Sequence, residues 1–187
     1  MAQQYTKKMI RDVFIQMLNE KPFDKITVKN IVNKCKINRK TFYYYYENLY
    51  SVLREIFESE IEDVIAQYNE TQSWEESFIF AARFSLENKK AIYHVFNSIH
   101  REELERYLYT IAGNVMFRYV EDINKNIQAS DRDKKIIASF YQSALTNMVL
   151  HWIADGMVEK PEIIIRRIGA LFDGNISESL KRSKKLP

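Results

Sequence analysis

The side chains best suited to recognition chemistry fall in one run, TVKNIVNKCKINRKTFYYYY, from Thr27 to Tyr46. Its lysines can neutralise phosphate oxygens, its arginine can bond a guanine edge, and its phenols can stack or donate to phosphate. Val28, Ile31, Val32 and Cys35 recur at i, i+3, i+4 and i+7, which predicts a two-turn helix with one apolar face. Thr27 is placed to cap it, its hydroxyl accepting from a free backbone N–H of the first turn. Lys36 ends the periodicity, and Ile37 is the apolar plug of a tight turn. Asn38 caps a second short helix. Phe42 and Tyr46 are four apart, share a face of it and point inward. Arg39, Lys40, Thr41, Tyr43, Tyr44 and Tyr45 crowd its start and exposed side. Four consecutive tyrosines cannot all face one core, because a helix turns about 100° per residue. Two short helices joined by a turn, the second one basic, match a helix-turn-helix that lays its second helix in the DNA major groove. On this reading Arg39, Thr41 and Tyr44 address base edges. Lys29, Lys40, Tyr43 and Tyr45 hold phosphates, and Thr27 and Asn38 complete the DNA-binding set at the two helix starts.

The elements that must position this run are helical throughout. No glycine precedes Gly113, proline stands only at 22, 161 and 187, and no alternating strand pattern or repeat stands out. The expected fold is all-α with about nine helices: a three-helix DNA-binding domain over residues 1–50 and a helical regulatory and dimerisation domain over 51–187. The first helix carries the apolar stripe Ile10, Val13, Phe14, Met17 and Leu18. A long fourth helix is expected from Asn48 to Tyr68. Ser73 with Glu76 reads as a capping box for the fifth, which Asn88 ends, and a short helix from Lys89 to Asn97 follows. The seventh spans about Arg101 to Ile127. The eighth starts at Ser130 and stops at Gly156. Pro161 opens a ninth that runs to about Leu180, and a charged, frayed tail, KRSKKLP, closes the chain.

Residues 6 to about 60 resemble the N-terminal domain of the tetracycline-repressor (TetR) family of bacterial transcription regulators. The resemblance is carried by the helix from Thr6 to Asn19 and the connector from Pro22 to Val28. It continues through Ile31-Val32, the turn, the Thr41-Phe42-Tyr43 signature entering Tyr46, and the start of the long helix from Leu49 to Phe57. A finer likeness is to regulators and co-activators whose recognition helix reads NR-x-TFYYH. Three positions depart from the family pattern. Lys36 stands where the family usually has a turn glycine, which predicts a strained or different turn. Leu49 replaces a lysine that touches phosphate, and Tyr45 replaces a frequent histidine. The resemblance implies a DNA-binding homodimer.

Composition is that of a globular chain, with 46% hydrophobic and 28% charged residues. Net charge is +3, but residues 1–50 hold ten Lys or Arg against four Asp or Glu, a net of +6 that leaves −3 for the rest. A basic head on an acidic body is expected of a DNA-binding domain joined to a regulatory one. The N-terminus lacks the apolar run of an export signal and no stretch is long enough to span a membrane, so the expected location is cytoplasmic. The lone Cys35 fits a reducing compartment and reads as a small buried hydrophobe. No phosphate loop, GxSxG, HExxH or cysteine cluster is present, so no enzyme activity, cofactor or metal is expected. His94 and His100 are six apart, off the i, i+4 metal spacing. His151 beside Trp152 reads as a core or interface histidine, and the acidic run from Glu58 to Asp63 as a solvated helix face.

The body offers two further surfaces. Phe80, Phe84, Tyr93 and Phe96, with Tyr107, Phe117, Tyr119 and Tyr141, supply an aromatic interior that could hold a small-molecule inducer. Met116, Asn114 and His94 add adaptable or polar contacts. On the last two helices Tyr141, Leu145, Met148, Val149 and Trp152, with Ile164, Ile168, Leu171 and Phe172, exceed the needs of one small core. In the resembled family these helices pair into a four-helix dimer interface, and a symmetric dimer reads palindromic half-sites about 34 Å apart. The expected function is a sequence-specific regulator, a repressor, acting as a homodimer on a palindromic operator of double-stranded DNA. Its affinity would be set by a small molecule that swings the fourth helix. The alternative is a co-regulator or activator controlled by a protein partner, with weak or no DNA binding of its own.

Overall fold

The computed structural model describes residues 2–185 and consists of α-helices joined by short connections, with no strand among those residues. The helices are α1 (Ala2–Glu20), α2 (Val28–Cys35), α3 (Arg39–Tyr45), α4 (Leu49–Thr71) and α5 (Trp74–Glu87). They continue as α6 (Lys89–Phe96), α7 (Arg101–Asn124), α8 (Asp131–Ala154), α9 (Pro161–Leu171) and α10 (Asn175–Ser183). One turn of 3-10 helix at Phe23–Lys25 links α1 to α2. The chain forms two compact units, residues 1–60 with 85–104, and residues 61–84 with 105–187. It passes from one to the other within α4, within α5 and within α7.

The first unit is built on α1. Ile10, Phe14, Met17 and Leu18 are buried, as the stripe predicts, and α1 packs on α2 and on α6. Asn19 fixes the second contact. Its Nδ2 donates to the Ile15 carbonyl at 3.1 Å and to Asn88 Oδ1 at 3.3 Å, and its Oδ1 accepts from the Ala91 backbone N–H at 3.1 Å. One side chain thus ties the end of α1 to the start of α6, satisfying a donor that helix geometry leaves orphaned. His94 adds a second tie. Its Nδ1 lies 2.6 Å from the Leu18 carbonyl oxygen, which can only accept, so this nitrogen carries the proton. His94 therefore braces the end of α1 instead of lining an interior site of the body.

The second unit buries Ile111, Val115, Met116 and Val120 of α7 with Ile153 of α8 and Leu180 of α10, and α8 packs on α10. Tyr68 at the end of α4 donates its hydroxyl to Asp122 Oδ2 at 2.7 Å. Helix α8 stops as expected at Gly156, which is left-handed (φ 78°). Gly156 N–H bonds the Ile153 carbonyl and Met157 N–H bonds the Trp152 carbonyl, closing a Schellman motif.

Several expected boundaries shift. The seventh helix ends at Asn124, short of Ile127, because the Asn124 side chain turns to bond Ala129, accepting from its N–H at 2.7 Å and donating to its carbonyl at 3.3 Å. Ser73 does accept from the Glu76 N–H at 3.2 Å, but its hydroxyl donates to Glu75, and Glu76 reaches Arg166 at 2.7 Å, so the capping box is only half made. The single helix expected from Pro161 to Leu180 is two, broken where Gly174 turns left-handed (φ 71°). The tail expected to fray is helical through Ser183, and its last two residues, 186 and 187, lie outside the described ones.

Candidate nucleic-acid interface

Helix α2 begins as the residues dictate. Thr27 Oγ1 accepts from the Asn30 N–H at 3.2 Å, and Asn30 Oδ1 accepts in turn from the Thr27 N–H at 3.0 Å, so cap and third residue satisfy each other. Ile31, Val32 and Cys35 are buried on its inner face. Cys35 is 6% exposed and burial pushes its thiol pKa up, which keeps it protonated and unreactive. At the turn Lys36 takes the left-handed conformation (φ 53°, ψ 39°) that the glycine of the resembled family would adopt without steric cost. The turn is thus of the expected kind, held by a lysine, and the Ile37 N–H bonds the Val32 carbonyl at 3.0 Å.

Helix α3 starts at Asn38, whose Oδ1 accepts from the Thr41 N–H at 2.7 Å and from the Thr41 hydroxyl at 3.0 Å. Phe42 is fully buried and Tyr46 nearly so, as their spacing requires. Their rings lie 5.9 Å apart, and Lys7 Nζ sits 5.6 Å from the Tyr46 ring centroid. Burial, then the Glu55 carboxylate, push the Tyr46 phenol well above its ordinary range, so it stays neutral. Lys7 in turn pairs with Glu55 at 2.7 Å, tying α1 to α4.

That inner anchoring decides what faces outward. Arg39, Lys40, Tyr43 and Tyr44 are exposed, the last two at 55% and 69%, and Tyr45 is half-buried with its ring edge-on to Tyr44 at 4.9 Å. Thr27 and Lys29 at the start of α2, Lys36 in the turn and Asn38 are exposed as well, and Thr41 is half-buried. Every residue of the expected DNA-binding set therefore lies on α2, α3 or the connection between them, except Thr27, which caps the start of α2. Asn38 and Thr41 hold each other at the helix start, so the Thr41 hydroxyl proton is already engaged. Leu49 opens α4 half-buried, after Asn48, whose Oδ1 accepts from the Ser51 N–H at 3.0 Å.

The expected aromatic interior is dispersed. Tyr93 and Phe96 belong to the first unit, and Arg101 stands over the Phe96 ring at 4.2 Å. Phe80, Phe84, Tyr107, Phe117 and Tyr141 belong to the second, where Tyr107 is buried and Phe117 is 39% exposed. Of the eight, Tyr119, also of the second unit, and Tyr141 line a cavity of about 170 Å³ there, together with Trp74, Glu75, Met116 and residues of the α9–α10 corner. Sequence spacing could not find Glu75 or Asp173 there, because that corner exists only through the break at Gly174.

The expected dimer residues divide by exposure. Met148, Leu171 and Phe172 are exposed, and Tyr141, Val149, Ile164 and Ile168 are half-buried. Leu145 and Trp152 turn into the chain's own core, the Trp152 Nε1–H donating to the Glu159 carbonyl at 2.8 Å. Exposed apolar area is instead contributed by Ile136 and Phe140 of α8 and by Ile163 of α9. No helix of the described residues is long and apolar enough to cross a membrane.

A family defined as the C-terminal region of a transcriptional regulator, TetR_C_8, matches residues 72–174. The chain is 24% identical over 142 residues to the HTH-type dhaKLM operon transcriptional activator DhaS of Lactococcus lactis subsp. lactis (strain IL1403), covering 75% of each chain. It is 23% identical over 175 residues to the HTH-type transcriptional regulator YxbF of Bacillus subtilis (strain 168), covering 87% of this chain and 43% of that one. A solved structure described as dihydroxyacetone kinase operon activator DhaS superposes with a TM-score of 0.77 at 23% identity, over 92% of this chain and 97% of that one, a likeness of fold.

Proposed function

The chain belongs to the TetR family of transcriptional regulators, and we propose that it acts as a homodimer that reads a palindromic DNA operator through α3, under the control of an effector held in its helical body. Its family and relatives regulate transcription, and the protein is not an enzyme. The observation that carries the proposal is the outward row of Arg39, Lys40, Tyr43 and Tyr44 on a helix whose other face is pinned by Phe42 and Tyr46. Arg39 and Tyr44 read base edges, with Thr41 as an acceptor. Lys29, Lys40, Tyr43 and Tyr45 hold phosphates, while Thr27 and Asn38 set the two helix starts beside the backbone. A basic first 50 residues steers this face to DNA.

Selection of bound sequences from a random duplex library, followed by titration of variants, tests the reading. A palindromic motif is expected. Arg39→Ala should cost about 1–3 kcal/mol on that motif and relax its sequence preference, whereas Lys40→Ala should weaken all sequences alike and flatten the salt dependence. No enriched palindrome, or equal losses for both variants on all sequences, overturns it.

The sign of regulation has a second reading. A relative over three quarters of the chain is named as an activator, which supports activation. A reporter placed behind the selected palindrome separates the two. Expression that falls when this protein is removed supports activation, and expression that rises supports repression.

A further inference from the structure

Resting on the reading that the body holds an effector, we propose that the 170 Å³ cavity of the second unit binds a small organic cation, countered by Glu75, with the exposed Asp173 at its rim, and lined by Trp74, Tyr119, Tyr141 and Phe172. Aromatic rings alone would suit a neutral apolar guest. Glu75, half-buried in that wall, changes the chemistry, because a closing neutral ligand would strip water from its carboxylate and leave that charge uncompensated, while the exposed Asp173 adds negative charge at the rim. Aromatic faces carry negative quadrupole density, so rings and carboxylates favour the same sign of guest. Among the described residues no ion pair joins either carboxylate to a basic side chain. On α9, Arg166 pairs with Glu76 at 2.7 Å and Glu162 with Arg83 of α5 at 3.9 Å.

Two local features sharpen this. A Cβ at position 169 would lie 2.6 Å from Glu75 Oε1, so Gly169 of α9 leaves the space in which that carboxylate stands. The Ser73 hydroxyl donates to the other oxygen, Oε2, at 3.0 Å and orients it. Burial, then the carboxylates of Glu75 and Asp173, raise the Tyr119 phenol above its ordinary range, which shows the negative field the wall produces. No group of three His, Cys, Asp or Glu side chains is placed to hold a metal ion among the described residues, and the aromatic lining suits the apolar shell of an organic cation. Its size is limited, since a cavity of about 150 Å³ takes a benzene molecule. A trimethylammonium head on a short chain fits both size and charge.

Calorimetric titration of the full chain with choline, and with its uncharged isostere 3,3-dimethylbutan-1-ol, tests the site. Choline should bind saturably and the neutral isostere about tenfold or more weakly. Glu75→Gln should lower choline affinity by about tenfold, because charge is lost at constant shape. Gly169→Ala, which suits a helix, should lower it as well by displacing the carboxylate, and circular dichroism checks that both variants fold. No saturable choline binding, equal binding of the two probes, or an unchanged affinity in Glu75→Gln overturns the proposal. Operator affinity with and without choline is read separately. Choline binding that depends on Glu75 without any change in DNA affinity keeps the cation site and overturns the effector reading.

Discussion

Lys36 is where residue chemistry and backbone conformation conflict most plainly. A Cβ in the left-handed region costs roughly 1 kcal/mol or more, and the lysine bears that cost at φ 53°. Its side chain is exposed and no contact of it is required by the fold. Lys36→Gly should therefore stabilise the protein by about 1 kcal/mol, less the greater entropy of glycine in the unfolded chain. Urea denaturation of the two proteins measures it, and a loss of stability in the glycine variant would show that this turn carries no strain. If Lys36 also contacts phosphate, the same substitution weakens DNA binding on all sequences alike. A stability gain joined to an affinity loss would then explain why a lysine occupies a position that suits glycine. Cys35, one residue earlier, has no such tension, since its buried thiol packs as a small hydrophobe and its Sγ lies 3.9 Å from the Met9 carbonyl oxygen.

At the scale of elements, the second unit closes α4 onto α7 through Tyr68 and Asp122. The Lys125 ammonium, 2.7 Å away, and then the Tyr68 hydroxyl hold the Asp122 carboxyl below the usual carboxylate range. A depressed folded value stabilises the fold above the unfolded value and loses that contribution as pH falls through the folded one. Asp122→Asn should thus cost on the order of 1 kcal/mol at neutral pH, discounted for an exposed lysine partner, and the difference from the parent should shrink as pH falls below the ordinary carboxylate range. Denaturant titrations at neutral and acid pH check this, and a difference independent of pH would remove the charge from the account. Much of this architecture was legible in the sequence, because helix starts carry local chemistry. Thr27, Asn38 and Ser130 each accept from a backbone N–H where their residue type predicts. The break at Gly174 was not legible. Ile168, Leu171, Phe172 and Ile176 keep helical spacing across it, and a glycine within such a stripe gives no sign of whether it stays helical. The Asn19 brace and the cation cavity were hidden for a related reason. Both depend on residues far apart in sequence, 19 with 91 and 75 with 169, which no local pattern joins.

At the scale of the whole molecule, the distribution of apolar surface bears on assembly. Ile136, Phe140 and Met148 stand on one side of α8 at 58%, 69% and 43% exposure, and Ile163, Leu171 and Phe172 of α9 and its end are between 50% and 66% exposed. Clustered apolar area of this kind is uncommon on a monomer and marks an interface. A single α3 contacts too few bases to specify a site, so the regulatory reading requires two copies, and this is the surface in the second unit best suited to join them. Phe140 is the sharpest probe because its side chain contributes little to its own core. Phe140→Glu should leave monomer stability within about 0.5 kcal/mol of the parent, since exposed positions tolerate substitution. It should halve the mass read by light scattering and reduce affinity for the full palindrome towards that for one half-site. A variant that remains dimeric with unaltered affinity would move the interface away from α8. A monomeric variant that still binds the full palindrome as tightly as the parent would instead refute the need for two joined recognition helices, and with it the proposed operator symmetry.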